Sequence, residues 1–408
     1  MEMCSAGTDS VSEKGSPEIQ LLLLCSRKEM DQERLSRLEA LLAKPIDWPL
    51  VVRQAFFHRV APLVFRNLKL HAWESVPEAQ AGQLTDGFMK NQGHMMFLTS
   101  ELIRLVRALK TENIKAIALK GPALAASVYD NVAMRFSGDL DILVRRNDLP
   151  LALDVMRRCG YRVRLGNSED KVSANQEAAI RRFHYHYILY HQDNGYTVEL
   201  HFRLFGGKLR WGATTEEAFA ESQTLVIAGQ EILVLNDYEN LSYLCLHGGK
   251  HAWSRLEWIV TMAEFLTRFD ESDEVGLWER AEARGAGLAV LLGLTLARRL
   301  FGINPFPSLC ARGERSPIVN RLSARLVRLV HEEVKDHSGE RIAQEFQWEL
   351  CGSLHRRLHL YLSRKLIPNV ADVAEADRSP LWHFLYYLGP IKRLLNLGGG
   401  KADAGDNA

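Results

Sequence analysis

An α+β protein, with a small mixed sheet flanked on both sides by helical regions, is what this sequence predicts. Three observations carry the prediction. Leu35, Leu38, Leu41 and Leu42 form one apolar stripe, and Leu102, Leu105, Val106 and Leu109 another, at helical spacing, so residues 18–112 read as an N-terminal helical region. At Asn113 the texture changes to short apolar runs closed by turn residues, and residues 113–235 read as the sheet-bearing part. From 236 to 397 the helical pattern returns, broken at Pro305, Pro307, Pro317 and Pro368. Small polar tails are expected at 1–17 and 398–408.

Within the central part the elements follow in order. Ile114–Leu119 is a buried strand ending at Lys120-Gly121, and Pro122–Tyr129 is a helix opened by proline, where the missing N–H costs nothing. Leu140–Val144 is a second strand, and Leu149–Cys159 an amphipathic helix stopped by Gly160. Two strands between His184 and Leu204 flank Asp193-Asn194-Gly195, a hairpin signal because Asn-Gly supplies the positive φ angles of a tight turn. No other β-rich region is expected.

Composition narrows the function classes. With 51 Lys+Arg against 50 Asp+Glu the net charge is +1, which lacks the pervasive positive field of a protein that binds long nucleic acid. The cysteines at 4, 25, 159, 245, 310 and 351 form no CxxC and no tight cluster, which predicts neither a zinc knuckle nor a disulfide scaffold and points to a reducing, cytoplasmic home. The apolar stretch Gly285–Ala297 is closed by Arg284 and Arg298, well short of the roughly 20 residues of a spanning helix, so no transmembrane segment is expected.

The chemistry concentrates at Arg135-Phe136-Ser137-Gly138-Asp139-Leu140-Asp141. Side chains alternate along a strand, so Asp139 and Asp141 share one face while Leu140, Ile142 and Val144 take the other. Two carboxylates on one face can share a hard divalent cation such as magnesium, which accepts one or two carboxylates plus phosphate oxygens. Taken alone, such a pair is more often a solvated turn or cap. Glu199 adds weight, because an acid between β-formers in Tyr196–Phe202 is costly unless it is paired, metal-bound or wet. Three carboxylates are what a two-metal phosphoryl or nucleotidyl transfer requires. A strand ending in Lys120-Gly121 and entering a helix lets backbone approach a phosphate and places an ammonium beside it; the plainer reading is an ordinary strand-to-helix turn. Arg135 can reach a phosphate or be solvated.

The succession IDWPLVVRQAFFHRVAPLVFRNL, ENIKAIALKGPALAASVYDNVAMRFSGDLDILV, YTVELHFRL and LHGGKHAWSRLEWI resembles the uncharacterised nucleotidyltransferases of the DNA polymerase β-like superfamily over about residues 20–270. The resemblance implies a nucleotidyltransferase palm at about 113–205, with Asp139, Asp141 and Glu199 as catalytic and metal-binding acids for two magnesium ions. It implies phosphate contacts at the Lys120-Gly121 turn and an NTP as co-substrate, with Arg135 and Gly138 as further nucleotide-binding candidates. Lys120-Gly121 departs from the small Gly-Gly or Gly-Ser pair of the wider superfamily, and Pro122 follows it. The expected activity is magnesium-dependent transfer of an NMP to an acceptor that is a small molecule, peptide or RNA, with pyrophosphate released. The alternatives are a nucleotide-binding or scaffold protein that does no chemistry, and a toxin-like transferase acting on tRNA or protein.

Histidines supply further candidates. His247 and His251 have the spacing of a helical zinc-protease motif, but position 248 is glycine where the general-base glutamate belongs, which excludes that chemistry. His247, Lys250, His251 and Arg255 remain candidates for lining a cleft that binds base, phosphate or acceptor, or for a solvated polar face. His201 shares a strand face with Glu199 and is a candidate for orienting it, while His184 and His186 read as structural. The aromatic segment Leu381–Leu397 suggests packing on the helical domain more than a membrane-surface helix.

Overall fold

The structure is a computed structural model that describes residues 15–165, 172–206, 212–331, 339–368 and Val373. Residues 1–14 and 398–408 of the expected tails, and the segment Leu381–Leu397, lie outside the described residues. Pro17, placed in the tail by the sequence reading, instead opens a helix, Pro17–Cys25. The α+β expectation holds. The described residues group into two compact units: the first takes those within Met1–Phe97, Leu124–Phe136 and Asp237–Leu350, the second those within Leu98–Ala123, Ser137–Asn236 and Cys351–Ala408.

The first unit is helical. Asp31 and Asp47 cap the helices Gln32–Leu42 and Trp48–Phe57 by accepting from the backbone N–H groups of Arg34 and Leu50. Pro49 and Pro62 sit in first turns, where no donor is lost. Leu21, Leu22, Val51, Val64 and Leu68 are buried, and so is the apolar face of the helix Gly287–Phe301. That helix is the apolar stretch noted at Gly285–Ala297. A Cβ at its Gly293 would fall 2.7 Å from Cys245 Sγ, so glycine is what lets it approach the helix Asp237–Lys250 so closely. Among the described residues no helix is long and apolar enough to cross a membrane.

The second unit carries a seven-stranded mixed sheet: β1 Ala116–Ala118, β2 Asp139–Val144, β3 Tyr161–Arg164, β4 His186–His191, β5 Thr197–His201, β6 Gln223–Ile227 and β7 Gln230–Val234. Their order across the sheet is β3-β4-β5-β2-β1-β7-β6. β2 runs antiparallel to β1 and parallel to β5, and β1 runs parallel to β7. β2 therefore lies inside the sheet, buried on both faces. Leu140, Ile142 and Val144 are almost wholly buried, as are Val198 and Leu200 of β5.

Two expectations are corrected here. The sheet is larger than the sequence reading allowed, because β3 pairs with β4 ahead of the expected β-rich region and β6 and β7 form a second hairpin beyond it. Its turn uses Ala228 and Gly229, both at positive φ (47° and 76°). Alanine carries none of the Asn/Asp preference that marks such turns in a sequence. The hairpin at Asp193-Asn194-Gly195 does form, but as a longer loop: His191 N donates to Tyr196 O, Tyr190 pairs with Thr197, and only Gly195 takes positive φ (71°).

At the β3 edge, the buried Tyr161 hydroxyl donates to Glu101 Oε1 (2.7 Å), which Arg104 also holds (2.6 Å). Burial opposes charge on Glu101, yet the Arg104 and Tyr161 donors hold its carboxyl below the ordinary 4.5. A depressed carboxylate stabilises the fold above its unfolded value and loses that contribution as pH falls through the folded one. Tyr161→Phe is expected to cost about 1.5–3 kcal/mol at pH 7, the worth of a hydrogen bond to a charged group. The cost should shrink as urea unfolding is repeated at successively lower pH through the titration of the folded carboxyl; a cost under about 0.5 kcal/mol at pH 7 would exclude a charged Glu101 acceptor.

Candidate active site

β1, β2, β4 and β5 bring the polar side chains together. In the β2–β5 register Asp141 stands beside Glu199, and Asp139 beside Thr197. In the β4–β5 register His186 stands opposite His201 and Ile188 opposite Glu199. Period-two alternation then puts Asp139, Asp141, Glu199, His201 and His186 on one face of the three adjacent strands β2, β5 and β4. The turn after β1 reaches the same place: Leu119 N donates to Asp141 O (3.1 Å), and Lys120 Nζ lies 3.1 Å from Asp141 Oδ1.

Gly121 follows at φ 61°, in the left-handed region. A Cβ there would meet the Asp139 carbonyl at 3.4 Å and Ser137 Oγ at 3.6 Å, and the Ser137 hydroxyl donates to that same carbonyl (3.0 Å). The Lys120-Gly121 turn is thus folded against the entrance of β2. Asp139 is half-buried there and Gly138 exposed.

The inner pair is buried: Asp141 is 2% exposed and Glu199 7%. Burying two carboxylates side by side is costly unless cations and donors offset it. Here Lys120 faces Asp141, and His201 Nε2 lies 3.2 Å from Asp141 Oδ1 and 3.1 Å from Glu199 Oε2. Burial would raise the Asp141 carboxyl, but Lys120 and then His201 bring it below the ordinary range. Burial works against Glu199 as well, and the His201 and His186 rings hold it low. For His201 burial disfavours the charged ring, yet its contacts to Asp141 and Glu199 push it up to about 9. Asp141 Oδ2 remains a buried acceptor with no hydrogen-bond partner. Such an atom fits a cation, and the donor set beside it suits one.

His186 joins this cluster. Its ring centroid is 5.1 Å from that of His201, and the Tyr185 ring stands edge-on to it at 4.1 Å. One donor atom each from His186, Glu199 and His201 lie within 4.8 Å of one another. The sequence reading set His186 aside as structural.

The remaining candidates belong to the first unit. Arg135 is buried, 2.7 Å from Glu257 Oε1. The His247 and His251 rings lie 4.7 Å apart, tilted to each other, and each meets Trp258 at 5.4 Å. Arg255 donates to Phe57 O (2.8 Å) and covers the Phe57 ring, and the Lys250 carbonyl accepts from Gln347.

An inner strand thus presents Asp-x-Asp beside a glutamate of its parallel neighbour, next to a strand–Lys-Gly–helix turn. The chain belongs to the family of uncharacterised nucleotidyltransferases, which it matches over residues 44–302. That stretch takes in all seven strands. No curated protein matches the chain.

Proposed function

We propose that the protein moves a nucleoside monophosphate from an NTP to an acceptor and releases pyrophosphate, with Asp139, Asp141 and Glu199 as the catalytic acids. The observation that carries this reading is the buried Asp141–Glu199 pair on neighbouring parallel strands, with the Asp141 Oδ2 acceptor unpartnered and Lys120 alongside. Asp139 and Asp141 would hold magnesium, with Glu199 completing the set. When bound, magnesium neutralises triphosphate charge and lowers the pKa of the attacking hydroxyl. Lys120 and the Gly121 backbone would hold phosphate at the mouth of the site, and Gly138 leaves room there. A nucleophilic acceptor oxygen bonds to the α-phosphorus as the bond to the bridging oxygen breaks, its proton passes to a site carboxylate, and pyrophosphate departs. Catalysis then rests on positioning and fixed charge.

The test supplies the protein with labelled NTPs, magnesium and separate small-molecule, RNA and peptide pools. Label is expected in one pool with equimolar pyrophosphate. Thermal stabilisation by Mg–NTP with no pyrophosphate from any pool would instead favour a nucleotide-binding protein without chemistry. Growth arrest on expression, relieved by Asp141→Asn, would point to a toxin acting on tRNA or protein.

A further inference from the structure

The donor set around Glu199 is not the one magnesium prefers. Magnesium takes oxygen ligands, retains water and seldom accepts imidazole, whereas manganese, cobalt and zinc dications take imidazole and carboxylate together. His186 and His201 bracket Glu199 on the β4–β5 pair, each offering a ring nitrogen within 4.8 Å of the other and of a Glu199 oxygen. His201 Nε2 stands 3.1 Å from Glu199 Oε2 and 3.2 Å from Asp141 Oδ1. Ligand atoms sharing one cation at bond lengths of about 2.1 Å are roughly 3.0–3.4 Å apart, so these hydrogen-bond spacings also suit neighbouring donors in one coordination shell, a metal replacing the His201 proton that bridges the carboxylates. A second, separate observation is the buried and unpartnered Asp141 Oδ2, on a side chain only 1% exposed.

We propose that His186, Glu199 and His201, with Asp141 alongside, form a site for a first-row transition-metal dication. Glu199 then belongs to this mixed nitrogen and oxygen site, while Asp139 with Asp141 forms the oxygen-only position suited to magnesium. Any part the site plays in nucleotidyl transfer rests on the reading above; the binding of the metal does not. The affinity order of such a site should be manganese below cobalt, with zinc also bound tightly, and magnesium far weaker.

The experiment uses tag-free, full-length protein freed of metal by chelator and titrated with Co2+, followed by visible absorption and equilibrium dialysis without nucleotide. One Co2+ per chain is expected, retained against about 100-fold excess Mg2+ and displaced by Zn2+. His186→Ala, at the half-buried end of the cluster, should weaken Co2+ binding by at least about tenfold, while Asp139→Ala should change it less than about twofold. X-ray absorption of the Co2+-loaded wild-type protein should show scattering from two imidazoles, which keeps the test decisive if the His186 variant does not fold. Equal competition by Mg2+, unchanged affinity in His186→Ala, or a spectrum without imidazole would each overturn the proposal. The two readings fail separately. Imidazole-bound Co2+ in a protein that never releases pyrophosphate would sink the transfer reading and leave this site standing. Transfer with magnesium in a protein whose metal shows no imidazole would do the reverse.

Discussion

Asp139→Ala is expected to lower nucleotidyl transfer by at least about 10³-fold and to leave stability within about 0.5 kcal/mol of wild type. The two halves of this expectation have different origins. Asp139 lies at the half-buried start of β2, on the side of the acids. Removing a half-exposed carboxylate from a cluster of like charges relieves repulsion, which limits the stability cost. Asp141→Ala should behave otherwise, although both aspartates belong to one motif. Its carboxylate is buried between Lys120 and His201, and deleting it leaves two cationic groups with a lost partner. The expected cost is about 3–5 kcal/mol, that of breaking a buried ion pair from one side. Pyrophosphate release beside urea unfolding for the two variants checks the pair of claims. Full activity in Asp139→Ala would remove it from the catalytic set.

A second large effect is expected at Arg135. The sequence reading offered it as a phosphate contact or a solvated side chain, and the structure buries it against Glu257, both side chains under 10% exposed. Arg135→Met should destabilise by about 3–5 kcal/mol, because it breaks a buried ion pair from one side and leaves Glu257 buried without the guanidinium. Adding Glu257→Leu should recover most of that loss, since a pair of apolar side chains often replaces a buried ion pair at little cost. Urea unfolding of the single and double variants measures the coupling. An Arg135→Met protein of wild-type stability that no longer binds NTP would assign Arg135 to the nucleotide instead.

Much of the site was legible because it rests on period-two alternation. Asp139 and Asp141 share a face whatever lies around them, and Glu199 with His201 obeys the same rule. Which strands are neighbours was not legible, since nothing local in Asp141 or Glu199 encodes the parallel β2–β5 register. The case of His186 shows how a small loop detail propagates. A two-residue Asn194-Gly195 turn would set His186 opposite Arg203, whereas the four-residue loop Gln192–Gly195 sets it opposite His201. Two residues of loop length thus separate a structural histidine from a metal-ligand candidate. The β6–β7 hairpin escaped notice because its turn is Ala-Gly. Arg135 was ambiguous because burial of an arginine depends on a partner more than a hundred positions away, Glu257.

The strand order also bears on how the chain assembles during synthesis. β1 borders both β2 and β7, and its partner for Ile117 on the β7 side is Leu233. β1 must therefore wait through the synthesis of more than a hundred further residues before its second edge is covered. Until then an apolar strand, with Ile117 among its wholly buried residues, has backbone donors and acceptors exposed in a nascent chain. Closure through such distant partners carries a loop-entropy cost that slows folding. The last hairpin to emerge, β6–β7, serves as the lock that ends the vulnerable interval for the strand leading directly into Lys120-Gly121.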